Sequence, residues 1–394
     1  MKRNAIVLQS GGSTAVINQS LAGVIDGVKL SKHFGKLYGS RFGILGILKP
    51  NWILLNGLFK NEIKNLRGSP SSALGSCRKK LTGVEAREAV KTLIKKNIHT
   101  VFLIGGNDSA ETGLLLAKTA RASGNSLQVI GIPKTIDNDL PGMDHAPGYG
   151  SIARFFAIAT QEASLDTKAI RFSDPVKIIE TMGRNSGWVV AASSLLKEKE
   201  SDGPHLLYFP ERSFNEKKFL DDVKKVYQKF GFVVIVISET IRDKTGKRIG
   251  QNQKSIAEDQ FGHVYVEGAA QYLCALVESK LRLRARFDKP GTIQRMSLPY
   301  ISKVDQKEAY ECGRFAVQVS QNSQVSGVEV AMRRVLTRPY KIKFGTIPLP
   351  VVAGSEKLLP PSFINREGNF VTPAFKKYAL PLIGKLPESY LSFV

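Results

Sequence analysis

The chain has 394 residues, of which 42% are hydrophobic and 23% are charged, and its formal net charge is +23 at pH 7. This length is sufficient for two domains, and the composition is typical of a soluble globular protein. The longest purely apolar run, Phe232–Ile237, is far shorter than the ~20 residues that a membrane-spanning helix requires. The sequence therefore predicts a protein that does not associate with a membrane.

The positive charge is compatible with a protein that binds nucleic acid, one that binds small anions, or one whose surface is rich in lysine. The basic residues are spread along the chain, with only short clusters such as Arg78-Lys79-Lys80, and no common nucleic-acid-binding motif is present. We therefore favour a lysine-rich surface and expect no nucleic acid partner. Cys77, Cys274 and Cys312 are too few and too widely spaced for a disulfide framework or a zinc site, which is typical of a cytoplasmic protein. The apolar run Ala5–Leu8 is too short for a signal sequence, so we expect no leader.

The N-terminal elements predict a phosphate cradle. The apolar strand Ala5–Gln9 is followed by Ser10-Gly11-Gly12, and apolar residues then recur at helical spacing from Val16 to Val28. A glycine loop between a strand and a helix can bind phosphate through backbone N–H groups and the helix N-terminus. The same pair of glycines is also compatible with a tight connection that has no functional role.

A second candidate anion contact is Arg78, at the end of the small-residue turn Leu74-Gly75-Ser76-Cys77-Arg78. Its guanidinium could form two parallel hydrogen bonds with a phosphate, which a lysine cannot do. Without further context, an ordinary surface arginine is the more common explanation.

Two further strands are each followed by a polar loop. Val101–Ile104 precedes Gly105-Gly106-Asn107-Asp108-Ser109, and the apolar run Leu127–Ile132 precedes Pro133-Lys134-Thr135-Ile136-Asp137-Asn138-Asp139. In the second loop a carboxylate close to an ammonium can stay ionised and be directed at a substrate hydroxyl, although an ordinary turn has a similar composition. Together with Ser10-Gly11-Gly12, these loops should lie at one carboxyl edge of a parallel sheet, where ligands bind in such folds.

The following part of the chain predicts another set of strands and loops. The apolar strands Val176–Glu180 and Val233–Ile237 end in Thr181-Met182-Gly183-Arg184 and in Ser238-Glu239. We therefore place a second domain from about Ser151 onward.

An alternating basic segment follows. Arg282, Arg284 and Arg286 precede Lys289-Pro290-Gly291-Thr292-Ile293-Gln294-Arg295. Alternating side chains of an extended segment face the same side, so these arginines would form either a phosphate anchor or a solvated basic edge.

In their order and spacing, these motifs resemble the phosphofructokinase family over nearly the whole chain. The resemblance is carried by Ser10-Gly11-Gly12, Gly75-Ser76-Cys77-Arg78, Gly105-Gly106-Asn107-Asp108-Ser109, Pro133-Lys134-Thr135-Ile136-Asp137-Asn138-Asp139, Met182-Gly183-Arg184, Ser238-Glu239 and Pro290-Gly291-Thr292-Ile293-Gln294-Arg295. Each segment is weak evidence alone, but together they are highly specific.

The resemblance implies an α/β fold with two Rossmann-like three-layer α/β/α domains and an active site between them. Residues 1–150, together with roughly 296–365, would form the domain that binds the phosphoryl donor. Residues 151–295 would form the domain that binds the sugar phosphate, and residues 366–394 would be a C-terminal tail. The resemblance also implies a homo-oligomer, a dimer or a tetramer, because family members share the sugar site between subunits.

Two positions indicate the phosphoryl donor. ATP-dependent members of the family resemble GGDGS and PGTIDND, whereas this chain has Asp108 and Lys134 at glycine positions of these motifs, as pyrophosphate-dependent members do. Asp108 would place bulk and negative charge where the α-phosphate and ribose of a nucleotide would pass, and Lys134 would supply a cation to the transferred phosphoryl group. The alternatives are an ATP-dependent 6-phosphofructokinase and a non-catalytic regulatory subunit of the same fold.

The implied reaction is the reversible in-line transfer of a phosphoryl group from pyrophosphate to the C1 hydroxyl of fructose 6-phosphate. Its products are fructose 1,6-bisphosphate and phosphate, which would place the enzyme in glycolysis and gluconeogenesis. Asp137 would accept the hydroxyl proton. Lys134 and Arg184 would stabilise charge on the transferred group, which Thr135 would position.

The resemblance also implies the contacts with each substrate. The donor would contact Gly12, Arg78, Gly106 and Asp108. The sugar phosphate would contact Thr135, Asp137, Asp139, Met182, Gly183, Arg184, Glu239, Arg286, Thr292 and Arg295.

The family uses Mg²⁺, and the implied ligands here are Asn107 and Asp108. Most members have an aspartate in place of Asn107, and a neutral amide is a weaker ligand for a hard cation. Either Asp108 or pyrophosphate then carries more of the magnesium binding, or the affinity for magnesium is reduced. In ATP-dependent members an arginine nine residues before Arg184 reaches a neighbour's sugar phosphate. That position is Pro175 in this chain, and Lys177 is a candidate replacement.

Overall fold

The computed structural model describes residues 2–250, 257–258, 264–265, 268–387 and 390–394. Its strands are β1 (Arg3–Gln9), β2 (Phe34–Ser40), β3 (Trp52–Leu54), β4 (Ile98–Gly105), β5 (Gln128–Pro133), β6 (Val176–Thr181), β7 (Leu206–Tyr208), β8 (Val233–Ser238), β9 (Ala257–Glu258), β10 (Val264–Tyr265), β11 (Ala285–Asp288), β12 (Val328–Thr337) and β13 (Tyr340–Pro348). Its α-helices are α1 (Ile17–Leu30), α2 (Leu45–Leu48), α3 (Lys60–Arg67), α4 (Gly83–Lys95), α5 (Asn107–Ala122), α6 (Tyr149–Ala169), α7 (Trp188–Ala192), α8 (Glu216–Phe230), α9 (Ala269–Leu281), α10 (Lys303–Ser320), α11 (Leu349–Val352) and α12 (Pro373–Ile383).

The chain divides into two compact units. The first consists mainly of Met1–Tyr149 and Arg295–Lys357, and the second of Gly150–Glu258, Val264–Gln294 and Leu358–Val394. The sequence also places a domain change near residue 150. The C-terminal region differs from the sequence-based boundaries, because residues 358–365 lie in the second unit, and residues 366–394 belong to that unit instead of forming a separate tail.

The first unit is built on a mainly parallel sheet with the strand order β13-β12-β5-β4-β1-β2-β3. Only the edge strands β3 and β13 pair antiparallel with their neighbours. Along the central strand β1, Ile6 and Leu8 face one side and pack in the core with residues of α4 and α5. Ala5 and Val7 face the other side and pack with residues of α1 and α10. These helices on both faces make the three layers that the resemblance implies.

Helices α1 and α10 cross at very close range because each contributes a glycine to the crossing. A Cβ atom on Gly23 would stand 2.0 Å from the carbonyl oxygen of Tyr310, and one on Gly313 would stand 2.1 Å from that of Ser20. A side chain at either glycine would therefore force the helices apart. The closely packed pair α1 and α10 covers the face of the sheet on which Ala5 and Val7 lie.

The second unit contains a parallel sheet with the order β11-β6-β8-β7. The central strands β6 and β8 are almost completely buried, and β8 is almost continuously hydrophobic, as expected for parallel strands. Helices α8 and α9 pack against this sheet through Phe219, Val223, Leu273 and Val277. Because β6 and β8 are neighbours, the segments that follow them leave the sheet side by side.

The C-terminal residues belong to the second unit because their aromatic side chains are part of its core. Phe375 of α12 is completely buried. The ring centroid of Trp188 lies 5.9 Å from that of Phe363 and 5.3 Å from that of Tyr378. These partners are distant in sequence, so the local pattern does not reveal the packing. Among the described residues, no helix is both long and apolar enough to cross a lipid bilayer.

Candidate active site

Three predicted loops meet at the carboxyl edge of the first sheet because β1, β4 and β5 are neighbours in it. The N–H of Ser10, after β1, donates to the carbonyl oxygen of Ile104 at 2.9 Å. The N–H of Lys134, after β5, donates to the carbonyl oxygen of Gly105 at 2.9 Å. The structure thus brings the SGG, GGND and PKTIDND segments together, as the parallel order of the strands requires.

The glycine loop after β1 is surrounded by cationic side chains. The buried Nζ atom of Lys134 donates to the carbonyl oxygen of Gly12 at 2.7 Å. A Cβ atom on Gly12 would stand 2.9 Å from Nη1 of Arg295 and 3.9 Å from Nη2 of Arg78. A side chain larger than hydrogen would therefore displace the guanidinium of Arg295. Several positive charges this close together favour binding of an anion.

The turn that carries Arg78 is fixed directly to this loop. The N–H of Gly11 donates to the carbonyl oxygen of Cys77 at 3.2 Å, and the Ser76 hydroxyl donates to the carbonyl oxygen of Gly11 at 2.7 Å. Arg78 follows immediately in the chain, so its guanidinium lies close to the glycine loop. The Gly75–Arg78 motif therefore connects its own turn to the Ser10-Gly11-Gly12 loop through hydrogen bonds.

The Arg295 side chain lies in the first unit, beside this donor loop. The resemblance assigns Arg295 to the sugar phosphate, together with Thr292. The boundary between the two units falls between Gln294 and Arg295, so the Pro290–Arg295 motif is divided between them. The position of Arg295 next to Gly12 could not be read from the motif.

The GGND segment forms the start of α5. A Cβ atom on Gly105 would stand 2.1 Å from Oγ of Ser109, so only glycine fits there. Gly106 precedes the first helical residue, Asn107, and Asp108 lies in the first turn. Asp108 also lines a cavity of about 280 Å³ together with Lys80, Leu81, Glu111, Thr112, Leu114, Leu115 and Lys118.

The implied magnesium ligands offer one carboxylate. Within the described ranges, no group of three or more His, Cys, Asp and Glu residues could hold a metal ion. The side-chain nitrogen of Asn107 donates to the carbonyl oxygen of Ser355. This hydrogen bond fixes the orientation of the Asn107 amide group. Of the two implied ligands, Asn107 and Asp108, only Asp108 is charged. This set fits a magnesium ion that is bound mainly through phosphate oxygens, as is common for Mg²⁺.

The PKTIDND loop is organised around Thr135. Its hydroxyl donates to Oδ1 of Asp139 at 2.9 Å and accepts the backbone N–H of Asp137 at 3.0 Å. Asn138, between the two aspartates, is completely buried and has φ of 52°, a conformation that asparagine tolerates better than most residues. Its Oδ1 accepts the N–H of Ala146 at 3.2 Å. The loop therefore holds the half-buried Asp137 on a constrained backbone.

A buried ionic cluster that the sequence did not reveal lies behind this loop. Nδ1 of His145 lies 2.7 Å from Oδ2 of Asp144, and its Nε2 lies 2.7 Å from Oε2 of Glu308. Burial by itself lowers the pKa of His145, but the charge and hydrogen bonds of Glu308 and Asp144 outweigh it and raise that pKa to about 9. His145 is thus a cation at neutral pH, and it ties the segment after PKTIDND to α10.

We expect His145 to make stability depend on pH. Its pKa is raised in the folded protein, so its stabilisation is fully present below about pH 6.5 and is lost as the pH rises through about 9. The shift corresponds to a contribution on the order of 3 kcal/mol. Urea unfolding of wild type and His145→Gln should show a larger stability difference at pH 6 than at pH 10.

The exposed His33 supplies the matched control for this measurement. His33→Gln should leave the pH dependence as in wild type. A difference between wild type and His145→Gln that is constant, or that grows toward alkaline pH, would show that His145 is not held as a cation.

In the second unit, the MGR turn follows β6 with a constrained backbone. Gly183 and Arg184 both have positive φ, at 147° and 49°. A Cβ atom on Gly183 would stand 2.8 Å from the carbonyl oxygen of Ser186, so glycine is required there. The carbonyl oxygen of Arg184 accepts from the hydroxyls of Ser238 and Thr240, which come from the neighbouring strand end. Non-glycine residues with positive φ are often found at functional sites.

Glu239 joins the same turn. Its Oε1 accepts the backbone N–H of Arg184 at 3.3 Å, and burial raises the pKa of its carboxyl group despite this hydrogen bond. The side chain of Gln294, which is almost completely buried, accepts the N–H of Met182 at 2.9 Å and donates to the carbonyl oxygen of Gly291 at 2.7 Å. Gln294 therefore connects the turn that contains Thr292 to Met182, a structural role that the motif did not indicate.

Arg286 lies away from the other predicted sugar-phosphate residues of this unit. It pairs with Lys177 near the start of β6, whereas Met182 and Gly183 follow the end of β6. Nη2 of Arg286 lies 2.9 Å from Oδ2 of Asp174, and Nε of Arg284 lies 3.0 Å from Oδ1 of the same carboxylate. The register of β11 on β6 therefore places Arg286 at the amino edge of the sheet.

Comparisons with known proteins agree with this arrangement of motifs. The family model "Phosphofructokinase" matches residues 4–320. The pyrophosphate–fructose 6-phosphate 1-phosphotransferase of Xanthomonas campestris is 37% identical over 394 residues, covering 98% of this chain and 93% of that protein. A sulfofructose kinase of Alkalicoccus urumqiensis is 34% identical over 90% of both chains. The crystal structure of the pyrophosphate-dependent phosphofructokinase of Marinobacter aquaeolei superposes with a TM-score of 0.88 at 33% identity, over 99% of this chain and 94% of that one. The chain therefore belongs to the phosphofructokinase family.

Proposed function

We propose that this enzyme transfers a phosphoryl group from pyrophosphate to the C1 hydroxyl of fructose 6-phosphate, reversibly and with Mg²⁺. The observation that carries the donor assignment is the buried ammonium of Lys134 at Gly12, where an ATP-dependent relative would have glycine at position 134. Asp108 supports the same assignment, because its carboxylate opposes the approach of a nucleotide's α-phosphate. The names of the relatives over the full chain agree with this donor and this acceptor.

The donor is held by the cations around the glycine loop. Lys134 and Arg78 neutralise the pyrophosphate oxygens, and the backbone at Gly12 and Gly106 allows close approach. Arg295 lies beside Gly12, so we propose that it faces the transferred group as well as the sugar phosphate. Magnesium would be held by Asp108 with Asn107 and would supply additional neutralisation of phosphate charge.

The acceptor hydroxyl is activated by Asp137. As the C1 oxygen forms its bond to phosphorus, the hydroxyl proton passes to the Asp137 carboxylate, and the bridging P–O bond of pyrophosphate breaks with its electron pair leaving on phosphate. Thr135 holds the backbone of Asp137 and the side chain of Asp139 in place for this step. Arg184 would stabilise the charge on the transferred group.

The sugar phosphate is recognised by the second set of residues. We assign its binding to Met182, Gly183, Glu239 and Thr292. Hydrogen bonds connect the turn after β6 to Glu239, at the end of β8, and to Gln294. Burial of Glu239 raises the pKa of its carboxyl group.

A side-by-side assay tests the proposal. Purified protein with fructose 6-phosphate and magnesium should turn over with pyrophosphate and not with ATP, and removal of Mg²⁺ by a chelator should abolish turnover. Sulfofructose is included as a competing acceptor because one relative carries that name. Turnover with ATP but none with pyrophosphate would contradict the donor assignment. Activity of the chain by itself would exclude a purely regulatory subunit.

We further propose that the protein acts in the cytoplasm as a homo-oligomer, a dimer or a tetramer. Arg286 and Arg284 lie at the amino edge of the second sheet and are about half exposed, so they are available to a neighbouring copy. The resemblance assigns Arg286 to a sugar phosphate, and we propose that it serves the site of that neighbouring copy. Sedimentation that finds only monomers at assay concentrations would contradict this assignment.

A further inference from the structure

The segment Ser355–Lys357 contacts two loops of the proposed active site. The carbonyl oxygen of Ser355 accepts from the side-chain amide of Asn107, in the GGND segment. The backbone N–H of Lys357 donates to the carbonyl oxygen of Asp139 at 2.7 Å, in the PKTIDND segment. None of the motifs includes this segment, which lies more than 200 residues beyond both loops.

The side chain of Lys357 is enclosed by the chain that follows Asp137. Its Nζ donates to the carbonyl oxygen of Asp144 at 2.8 Å and to that of Met143 at 3.2 Å, and it lies 3.5 Å from Oδ1 of Asn138. An ammonium has three N–H donors, and these three acceptors belong to one turn, Asn138–Asp144. This turn begins at the residue after Asp137.

The environment of the ammonium shows that it is a structural cation of this turn. Desolvation lowers the pKa of Lys357 to about 8, and the negative charges of Asp144 and Asp139 oppose the shift. Asp144 is in addition paired with His145 and with Arg334, whose Nη2 lies 3.0 Å from Oδ2 of Asp144. A lysine that merely covered the surface would direct its ammonium into water.

We propose that Lys357 is a positioning residue for phosphoryl transfer, and that its ammonium holds the turn Asn138–Asp144 so that Asp137 meets the acceptor hydroxyl in the productive geometry. This inference rests on the proposed function, because it depends on Asp137 acting as the base. Lys357 itself touches neither substrate in this assignment. It acts through the turn Asn138–Asp144, which begins directly after Asp137.

The test compares Lys357→Met with wild type. Methionine keeps most of the volume but leaves the carbonyl oxygens of Met143 and Asp144 without their donor, so the turn should shift. We expect kcat to fall by about 10- to 100-fold in both reaction directions, because a small displacement of a reacting group costs this much. The KM for pyrophosphate should stay nearly unchanged, since the donor cations Lys134 and Arg78 surround Gly12 instead.

Chemical rescue separates positioning from general stabilisation. Lys357→Cys should show the same defect, and alkylation with 2-bromoethylamine, which rebuilds a side chain of lysine length with an ammonium, should recover most of kcat. Wild type treated in the same way controls for reaction at Cys77, Cys274 and Cys312.

Lys376 supplies a matched control, because it is a partly buried lysine that also donates to a backbone carbonyl, that of Lys197 in the second unit. Lys376→Met should lower the thermal midpoint without changing kcat. Unchanged kcat in folded Lys357→Met would overturn the inference, as would a failure of rescue in the alkylated cysteine variant. The two proposals fail separately: if Asp137→Asn is inactive but Lys357→Met is normal, only the positioning role is wrong. An active Asp137→Asn would remove the base on which both depend.

Discussion

Asp137→Asn is expected to lower kcat by about 100- to 10,000-fold, because an amide cannot accept the proton of the C1 hydroxyl. The substitution keeps the size of the side chain, and the hydrogen bond from the backbone N–H of residue 137 to Thr135 is unaffected by it. The loop should therefore keep its conformation, and substrate binding should change little. Initial rates in both directions, together with the KM for each substrate, measure the effect.

The control for this substitution is Asp221→Asn, on the exposed side of α8 in the second unit. It removes one negative charge from an exposed residue that belongs to none of the motifs, and it should leave kcat unchanged. If Asp137→Asn keeps more than about a tenth of the activity, Asp137 is not the general base, since such a base contributes about 100-fold or more.

The double variant Asp108→Gly, Lys134→Gly should lose pyrophosphate activity and shift the donor preference toward ATP. Loss of one preorganised charge contact commonly costs about 100- to 1,000-fold, and Lys134 is buried beside Gly12, where its charge is poorly screened. Removal of the Asp108 carboxylate also frees space in the cavity of about 280 Å³ that Asp108, Lys80 and Lys118 help to line. The measured quantity is the ratio of kcat/KM with ATP to kcat/KM with pyrophosphate.

Two single variants separate charge from bulk in this experiment. Asp108→Asn and Lys134→Met keep the side-chain size and remove the charge. If charge decides the donor, Lys134→Met alone should lose most of the pyrophosphate activity. A donor ratio that stays at the wild-type value in the folded double variant would show that these two positions do not determine the donor.

The loops of the site were predictable from local sequence because each is encoded in a contiguous segment. A buried strand followed by glycines or by Pro133 shows where the chain leaves the sheet, and this signal needs no partner elsewhere. Parallel strands then bring their carboxyl ends to one edge, so the convergence of SGG, GGND and PKTIDND follows from the strand class. The chemical identity of Lys134 and Asp137 is likewise readable from the sequence.

Other features depend on contacts between residues that are far apart in the chain. The register of β11 on β6 places Arg286 at the amino edge and pairs it with Asp174, which alternation along the chain does not reveal. Arg295 lies close to Gly12 in the first unit, although the preceding residues of its motif, Pro290–Gln294, belong to the second unit. The residues after Leu358 look like a tail in sequence, yet Phe375 is buried in the second unit.

The sequence by itself determined the α/β class, the membership in the phosphofructokinase family, and the loops that carry anionic and basic side chains. Only the tertiary structure decided what supports those loops: His145 between Asp144 and Glu308, and Lys357 inside the turn Asn138–Asp144. The physical reason is that a buried charge is stable only where partners from several segments surround it. Such partners are selected by the order and register of strands and helices, which no local pattern records.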